Sequence, residues 1–207
     1  MYQTRQNSTT KLPINRKGTK YVVKALSHPR DSVPVAIAVR DMLKLASTAR
    51  EVKEMIKDKT LKVNGQVVWN YAQSIKLFNL FEAGKTFRLT LLPTGKFSFE
   101  EVSKNESRLC KVVNKKLING NQIQINLHDG TNLITKSKIN VSDSVYLDNE
   151  NKIKSHVIME KGKKVFVLSG KYVGLNGSIK NIQENKVTVN FDKEASAELN
   201  KYQLIVL

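Results

Sequence analysis

A chain of 207 residues, 40% of them hydrophobic, can bury real cores and is long enough for two or three small modules. Its 35 lysines and arginines outnumber 18 acids, and the resulting charge of +17 calls for a polyanionic partner. One cysteine and three scattered histidines exclude an internal disulfide and a four-ligand zinc site, and no apolar run approaches the roughly 18 residues that span a bilayer.

The charge is spread along the chain: residues 1–33 carry +6, 34–81 carry +4, 82–160 carry +3 and 161–207 carry +4. A membrane anchor gathers basic residues beside an apolar segment, whereas a clamp on folded RNA distributes them. Met1-Tyr2-Gln3-Thr4-Arg5 opens neither a secretory signal nor a myristoylation site, so a cytoplasmic protein with no membrane partner is expected.

Residues 1–33 hold Arg16, Lys17, Lys20, Lys24 and Arg30 among Pro13, Gly18 and Pro29, which predicts an extended basic arm ordered by its partner. Ser32-Val33-Pro34 then starts a helix in which Val35, Val39, Met42, Leu43 and Ala46 recur at helical spacing, ending near Ala46. Thr48 and Glu51 have capping-box spacing and open a second helix that runs to about Lys59, with Val52, Met55 and Ile56 as its apolar stripe. Leu61 through Val68 alternates around Asn64-Gly65, a strong hairpin signal because both turn residues need positive φ. Residues 34–83 thus read as two helices and a hairpin in one unit.

From Gly84 the helical period gives way to short alternating runs: Thr86–Leu92, Lys96–Phe99, Gln122–Leu127 and Ser144–Leu147. Turn signals at Pro93-Thr94-Gly95, Asn119-Gly120-Asn121 and Asp129-Gly130 separate them, and residues 84–160 read as a central β domain. Cys110, inside the apolar stretch Leu109–Val113, reads as a small buried strand residue. Residues 161–207 repeat the pattern with Lys164–Leu168, Ser178–Ile182, Lys186–Phe191 and Gln203–Leu207, spaced as in a smaller barrel. The expected fold class is α+β, mostly β: a basic N-terminal arm, a helix-helix-hairpin module, a central small β-barrel and a C-terminal small β-barrel.

Arg50, Lys53 and Lys57 sit at i, i+3 and i+7 and so point away from the Val52, Met55 and Ile56 stripe. With Arg40 and Lys44 on the first helix and Lys62 and Asn64 on the hairpin, they predict a phosphate-contact surface. Trp69, Tyr71 and Tyr172 could stack on unpaired bases, although packing in the core or the hairpin is the simpler role for the first two. His128-Asp129 makes no metal pair, because adjacent strand residues face opposite ways and no second cluster completes a site.

Ser47-Thr48-Ala49-Arg50-Glu51-Val52, Ile56 and Leu61-Lys62-Val63-Asn64-Gly65 resemble the S-four RNA-binding module of ribosomal proteins, pseudouridine synthases and tyrosyl-tRNA synthetases. Val165 through Ile179 resembles a KOW motif, in which Gly170, Gly174 and Gly177 permit a tight loop and Gly177 matches the motif's characteristic glycine. Ile125 through Asn132 and Pro34 through Leu43, in this chain order, resemble the e-type protein-four family of the small ribosomal subunit, over roughly residues 12–207.

That resemblance implies an rRNA-binding protein of archaea and eukaryotes, with no activity, cofactor or small-molecule substrate, and not a homo-oligomer. It implies small-subunit rRNA and neighbouring ribosomal proteins as partners, and adds His128, Thr131, Asn132, Lys171, Tyr172 and Asn176 to the RNA-contact candidates. Family members begin with a more basic leader than this chain, which has only Arg5 among its first ten residues.

An RNA-modifying enzyme or ribosome-assembly protein with an S-four module is the alternative. Such an enzyme needs a nucleophilic aspartate in a larger catalytic domain, whereas Asp129, Asp143, Asp148 and Asp192 read as turn or strand-end residues. A KOW transcription-elongation factor would lack the S-four module.

Overall fold

The computed structural model describes residues 1–104, 106–118, 122–191 and 196–207, so the expected Asn119-Gly120-Asn121 turn and Asp192 lie outside the described residues. The described chain is mostly β, with few helices, and divides into two compact units, Met1–Glu106 and Ser107–Leu207.

In the first unit β1 (Tyr2–Thr4) pairs antiparallel with β2 (Tyr21–Val23), so Tyr2 faces Val23. β3 (Ser32–Pro34) leads into α1 (Val35–Ile37), which continues as a π-type turn over Ala38–Met42, and α2 covers Ala49–Lys57. Then come β4 (Leu61–Val63), β5 (Gln66–Val67), β6 (Ser74–Lys76), β7 (Leu80–Ala83), β8 (Lys85–Leu91) and β9 (Phe97–Val102). β3 pairs with β6, and an antiparallel sheet runs in the order β5-β4-β7-β8-β9. Val33, Ile37, Val52, Leu61, Ile75, Phe81 and Leu89 are buried in this unit.

Three sequence expectations change here. The first helix stops at Met42 rather than near Ala46, because the Leu43 N–H bonds back to the Ala38 carbonyl (2.9 Å) and Lys44 turns to φ 54°. The arm does not extend: β1 pairs with β2, Leu12, Val22, Val23 and Ala25 are buried, and the Phe97 N–H binds the Lys11 carbonyl (2.8 Å). Its few apolar residues, diluted among bases in the sequence, fall together once the strands pair. β8 and β9, expected to open the central β domain, instead hydrogen-bond into the hairpin's own sheet. Gly84, at φ 76°, is the turn from β7 into β8 and not a break between modules.

The second unit carries β10 (Arg108–Ile118), β11 (Gln122–Leu127), β12 (Asn132–Thr135), β13 (Ser144–Leu147) and β14 (Ile153–Val157) in an antiparallel sheet ordered β12-β11-β10-β13-β14. β15 (Lys164–Val167), β16 (Asn176–Gln183), β17 (Lys186–Asn190), β18 (Ser196–Asn200) and β19 (Leu204–Val206) form another, ordered β18-β17-β16-β15-β19. β10 serves two ladders: Arg108–Lys111 pairs with β13, the rest with β11, and the register shifts between Val112 and Asn114. Val112, Ile125, Ile139, Val145 and Leu147 are central to the first core; Val165, Val187, Val189, Leu204 and Val206 to the second.

The second sheet depends on one close approach. A Cβ on Gly177 would lie 2.5 Å from Val189 Cγ1 and 2.7 Å from the Asn190 carbonyl oxygen, both on the paired strand β17. Gly177→Ala should therefore destabilise this unit by roughly 1–3 kcal/mol through overpacking, read as a lower urea midpoint.

Candidate nucleic-acid interface

Helix α2 begins where the sequence placed it. The Thr48 hydroxyl accepts the Glu51 N–H (3.3 Å), and the Glu51 carboxylate accepts the Ser47 N–H (2.8 Å) and the Thr48 hydroxyl (2.8 Å). The bond from Ser47, first among these, holds the Glu51 carboxyl below its usual pKa. Val52 is buried and Met55 and Ile56 half-buried, which turns Arg50, Lys53 and Lys57 outward into solvent. Arg50 leans on Glu54 (3.4 Å) and Lys53 lies over the Tyr71 ring (5.3 Å), while Lys57 makes no ion pair with a described residue.

The refolded arm brings its bases to the helical segment. An open cleft of about 770 Å3 is lined by Arg5 and Lys17 from one side and Arg40, Asp41, Lys44 and Ser47 from the other. A smaller one of about 480 Å3 includes Arg16, Lys17 and Lys20. Arg5 is the anchor that sequence reasoning missed: its guanidinium donates to the carbonyls of Thr19 (2.8 Å) and Asn15 and to the Thr19 hydroxyl (3.0 Å). Arg40 forks onto Asp41 (2.9 and 2.8 Å), which raises its pKa and offsets part of its charge, while Lys44 is exposed. Lys24 and Arg30 line neither cleft.

Several other candidates also make contacts within the fold. Asn64, at φ 52° beside Gly65 at φ 78°, accepts the Leu80 N–H on its side-chain oxygen (3.0 Å) and so locks the hairpin to β7; Lys62 lies opposite Glu82 in the same sheet. His128 Nδ1 accepts the Lys111 N–H (3.1 Å). The Thr131 hydroxyl donates to Asp129 (2.9 Å) and accepts from Arg108 (3.3 Å). Tyr172 stacks on Phe191 at 5.0 Å, and the Lys171 ammonium lies 5.8 Å from the Tyr172 ring centroid. Asn132, Lys171 and Asn176 remain exposed; the last two belong to the glycine loop, where Gly170 and Gly174 take positive φ and the Gly174 N–H closes onto the Val167 carbonyl (2.9 Å).

The turn between β11 and β12 rests on an ion pair that no pattern announced. Arg108 and Asp129, 3% and 1% exposed, meet at 3.1 Å, and Arg108 also donates to Asn151. Buried nearby in sequence, the Cys110 thiol is pushed well above its usual pKa by desolvation. The stretch around this turn is basic: between Ser107 and Ser142 the chain's single acid is Asp129, while Lys115, Lys116, Lys136 and Lys138 are exposed. These lysines were legible only as the absence of acids over 36 positions, a signal weaker than any motif.

Lys111, like Arg108 and Lys76, departs from the outward rule. It is buried, its ammonium donates to the Lys201 carbonyl (2.6 Å), and burial lowers its pKa from 10.5 to about 8. Between these pH values the unfolded chain keeps a proton that the folded chain has released, so stability should rise from pH 8 to pH 10.5. Denaturation midpoints across that range should show the rise in the native sequence and lose it in Lys111→Met.

Residues 83–154 match the Ribosomal family S4e and residues 161–192 the KOW motif. The small ribosomal subunit protein eS4 of Methanocella arvoryzae is 33% identical over 178 residues, covering 83% of this chain and 76% of its own. That of Archaeoglobus fulgidus is 29% identical and covers 100% of this chain and 93% of its own. The crystal structure of the 30S ribosomal protein S4e from Thermoplasma acidophilum superposes with a TM-score of 0.72 at 27% identity, over 86% of this chain and 95% of that one. With a basic surface on both units and relatives of this likeness along nearly its whole length, the chain belongs to the small ribosomal subunit protein eS4 family.

Proposed function

We propose that this protein is a structural constituent of the small ribosomal subunit, without catalytic activity, that holds rRNA through phosphate contacts and shape in the cytoplasmic ribosome. The carrying observation is that both compact units are basic: the first has nineteen bases against nine acids, the second sixteen against nine. Lysines and arginines neutralise phosphates and release condensed counterions, a term that depends little on sequence, while a rigid protein surface selects the contour of folded RNA.

In this reading residues 34–83 act as the S-four-like module, extended by β8 and β9. The remainder of 84–160 serves as a small β-barrel built around β10, and 161–207 as the KOW-type barrel. The segment 1–33 is a folded basic flap on the module. Phosphate contacts fall to Arg16, Lys17, Lys20, Arg40 and Lys44 around the clefts and to Arg50, Lys53 and Lys57 on α2. Lys24, Arg30, Lys62, Asn132, Lys171 and Asn176 supplement them, and Lys115, Lys116, Lys136 and Lys138 join the set. Asn64, His128, Thr131 and Tyr172 shape the surface from beneath.

The alternative of an RNA-modifying enzyme needs an aspartate free to attack. Asp129 is paired with Arg108; Asp143 accepts from Asn140 and Met159 and meets His156 at 2.8 Å; Asp148 caps its own turn. Asp41, which lines the larger cleft, is paired with Arg40.

Sucrose-gradient sedimentation of a cell lysate should carry the protein with the small subunit through a moderate salt wash. Sedimentation as a free protein, or with precursor particles alone, would sink the structural role. In purified form, affinity for an rRNA fragment should fall with salt at a log-log slope of roughly −0.7 to −0.9 per phosphate contacted. Lys57→Ala, which disturbs no ion pair among the described residues, should flatten that slope by about one contact.

A further inference from the structure

Trp69 is the only tryptophan in the chain, and it is 71% exposed. It stands in the loop between β5 and β6, residues 68–73, which the backbone holds from both sides. Val68 N–H donates to the Leu61 carbonyl (3.0 Å), Trp69 N–H to Gln73 Oε1 (3.2 Å), Ala72 N–H to Asn70 Oδ1 (2.8 Å) and Gln73 N–H to the Asn70 carbonyl (3.0 Å). In return the carbonyls of Tyr71, Ala72 and Gln73 accept from Ala36 (2.9 Å), Leu26 (3.0 Å) and Val35 (3.0 Å). Val68 and Ala72, which flank Trp69 in sequence, are buried.

The indole is therefore displayed by an ordered loop. It has no ring contact among the described residues, and its N–H donates to none of them. A ring of this size contributes most when a partner covers it, and little of its freedom remains to be lost when its backbone is already fixed.

What covers it is identified by its surroundings. Two residues on, Tyr71 carries the Lys53 ammonium over its ring at 5.3 Å and Tyr2 at 6.3 Å, and Lys53 belongs to the outward basic face of α2. Lys62 lies on β4, the first strand of the hairpin, and Gln66, Asn70 and Gln73 surround the indole in sequence. An aromatic face among cations and amides is the chemistry of a nucleotide platform: the ring takes a base and the ammonium takes the phosphate. A protein partner would find few apolar neighbours there; only Val67, 42% exposed, adjoins it.

We propose that Trp69 is a stacking platform for an unpaired RNA base, with Lys53 engaging the adjoining backbone, so that the first unit reads a single-stranded feature as well as a folded contour. This rests on the RNA-binding role argued above and adds to it a site that phosphate contacts do not require.

The lone tryptophan reports its own occupancy. The full chain is titrated with a short oligoadenylate and, separately, with a blunt RNA duplex of the same length, following tryptophan emission and the anisotropy of labelled RNA. Oligoadenylate should quench the emission as it binds, and the duplex should bind without quenching. Trp69→Ala should weaken oligoadenylate binding by about five- to 150-fold, Trp69→Phe much less, and neither should alter duplex affinity, which also shows that the variants fold. Oligoadenylate binding that leaves the emission unchanged, with Trp69→Ala binding equally well, would overturn the platform and leave a protein-facing anchor in its place. Failure of both RNAs to bind the native sequence would instead overturn the RNA-binding role itself.

Discussion

Mutual repulsion among an excess of seventeen positive charges is the constraint that this fold has to satisfy, since it opposes any compact state of the free protein. Strand periodicity answers it. On β17, Lys186 and Asn190 face out while Val187 and Val189 face in, and on β15 Lys164 is exposed beside buried Val165 and Val167. A backbone that sends alternate residues to opposite faces keeps the bases in water, where counterions screen them, and gathers β-branched residues into small cores. The same arrangement presents those bases to a polyanion, so the requirement of folding and that of binding are met by one geometry.

Among the described residues three bases break the rule, Lys76 on β6 and two that share one strand, β10. Arg108 is buried against Asp129, and Lys111, three positions on, is buried against a carbonyl. Removing a charge from water is costly unless it is paired and hydrogen-bonded, and the two sites differ in how far they meet that condition. Arg108 has a carboxylate, a hydroxyl and an amide; Lys111 has a single neutral acceptor among the described residues, and its depressed pKa is the consequence. Both stand on the half of β10 that pairs with β13, just before the strand changes ladders.

Local rules in the sequence located most elements. The Thr48–Glu51 spacing found the start of α2, Asn64-Gly65 found its hairpin, and Ser144–Leu147 coincides with β13, because each depends on contacts within a few residues. Long-range partnership was not legible. Nothing in Tyr21-Val22-Val23 says that it pairs with Tyr2-Gln3-Thr4, so the first segment read as a loose arm. Nothing at Gly84 distinguishes a hairpin turn from a boundary. On α2, helical spacing identified the exposed bases, yet no spacing could show which polar side chains also hold a turn, as His128 and Thr131 do. For Trp69 the sequence leaves base stacking and packing both open and favours packing, because large aromatics are usually covered; its exposure and the hydrogen bonds around it show that it is held outside.

The ladder between β15 and β19 pairs Val165 with Val206, across some forty residues that otherwise fold as successive hairpins. Closing a loop that long costs conformational entropy that the local turns do not, so it belongs to the late stage of folding. Until it closes, Val165, Phe166 and Val167 present an apolar strand with an open edge, the kind of surface on which chains join one another. A polypeptide interrupted before Leu204 would keep that edge, and its fate would be self-association, whatever the quality of its RNA-facing surface.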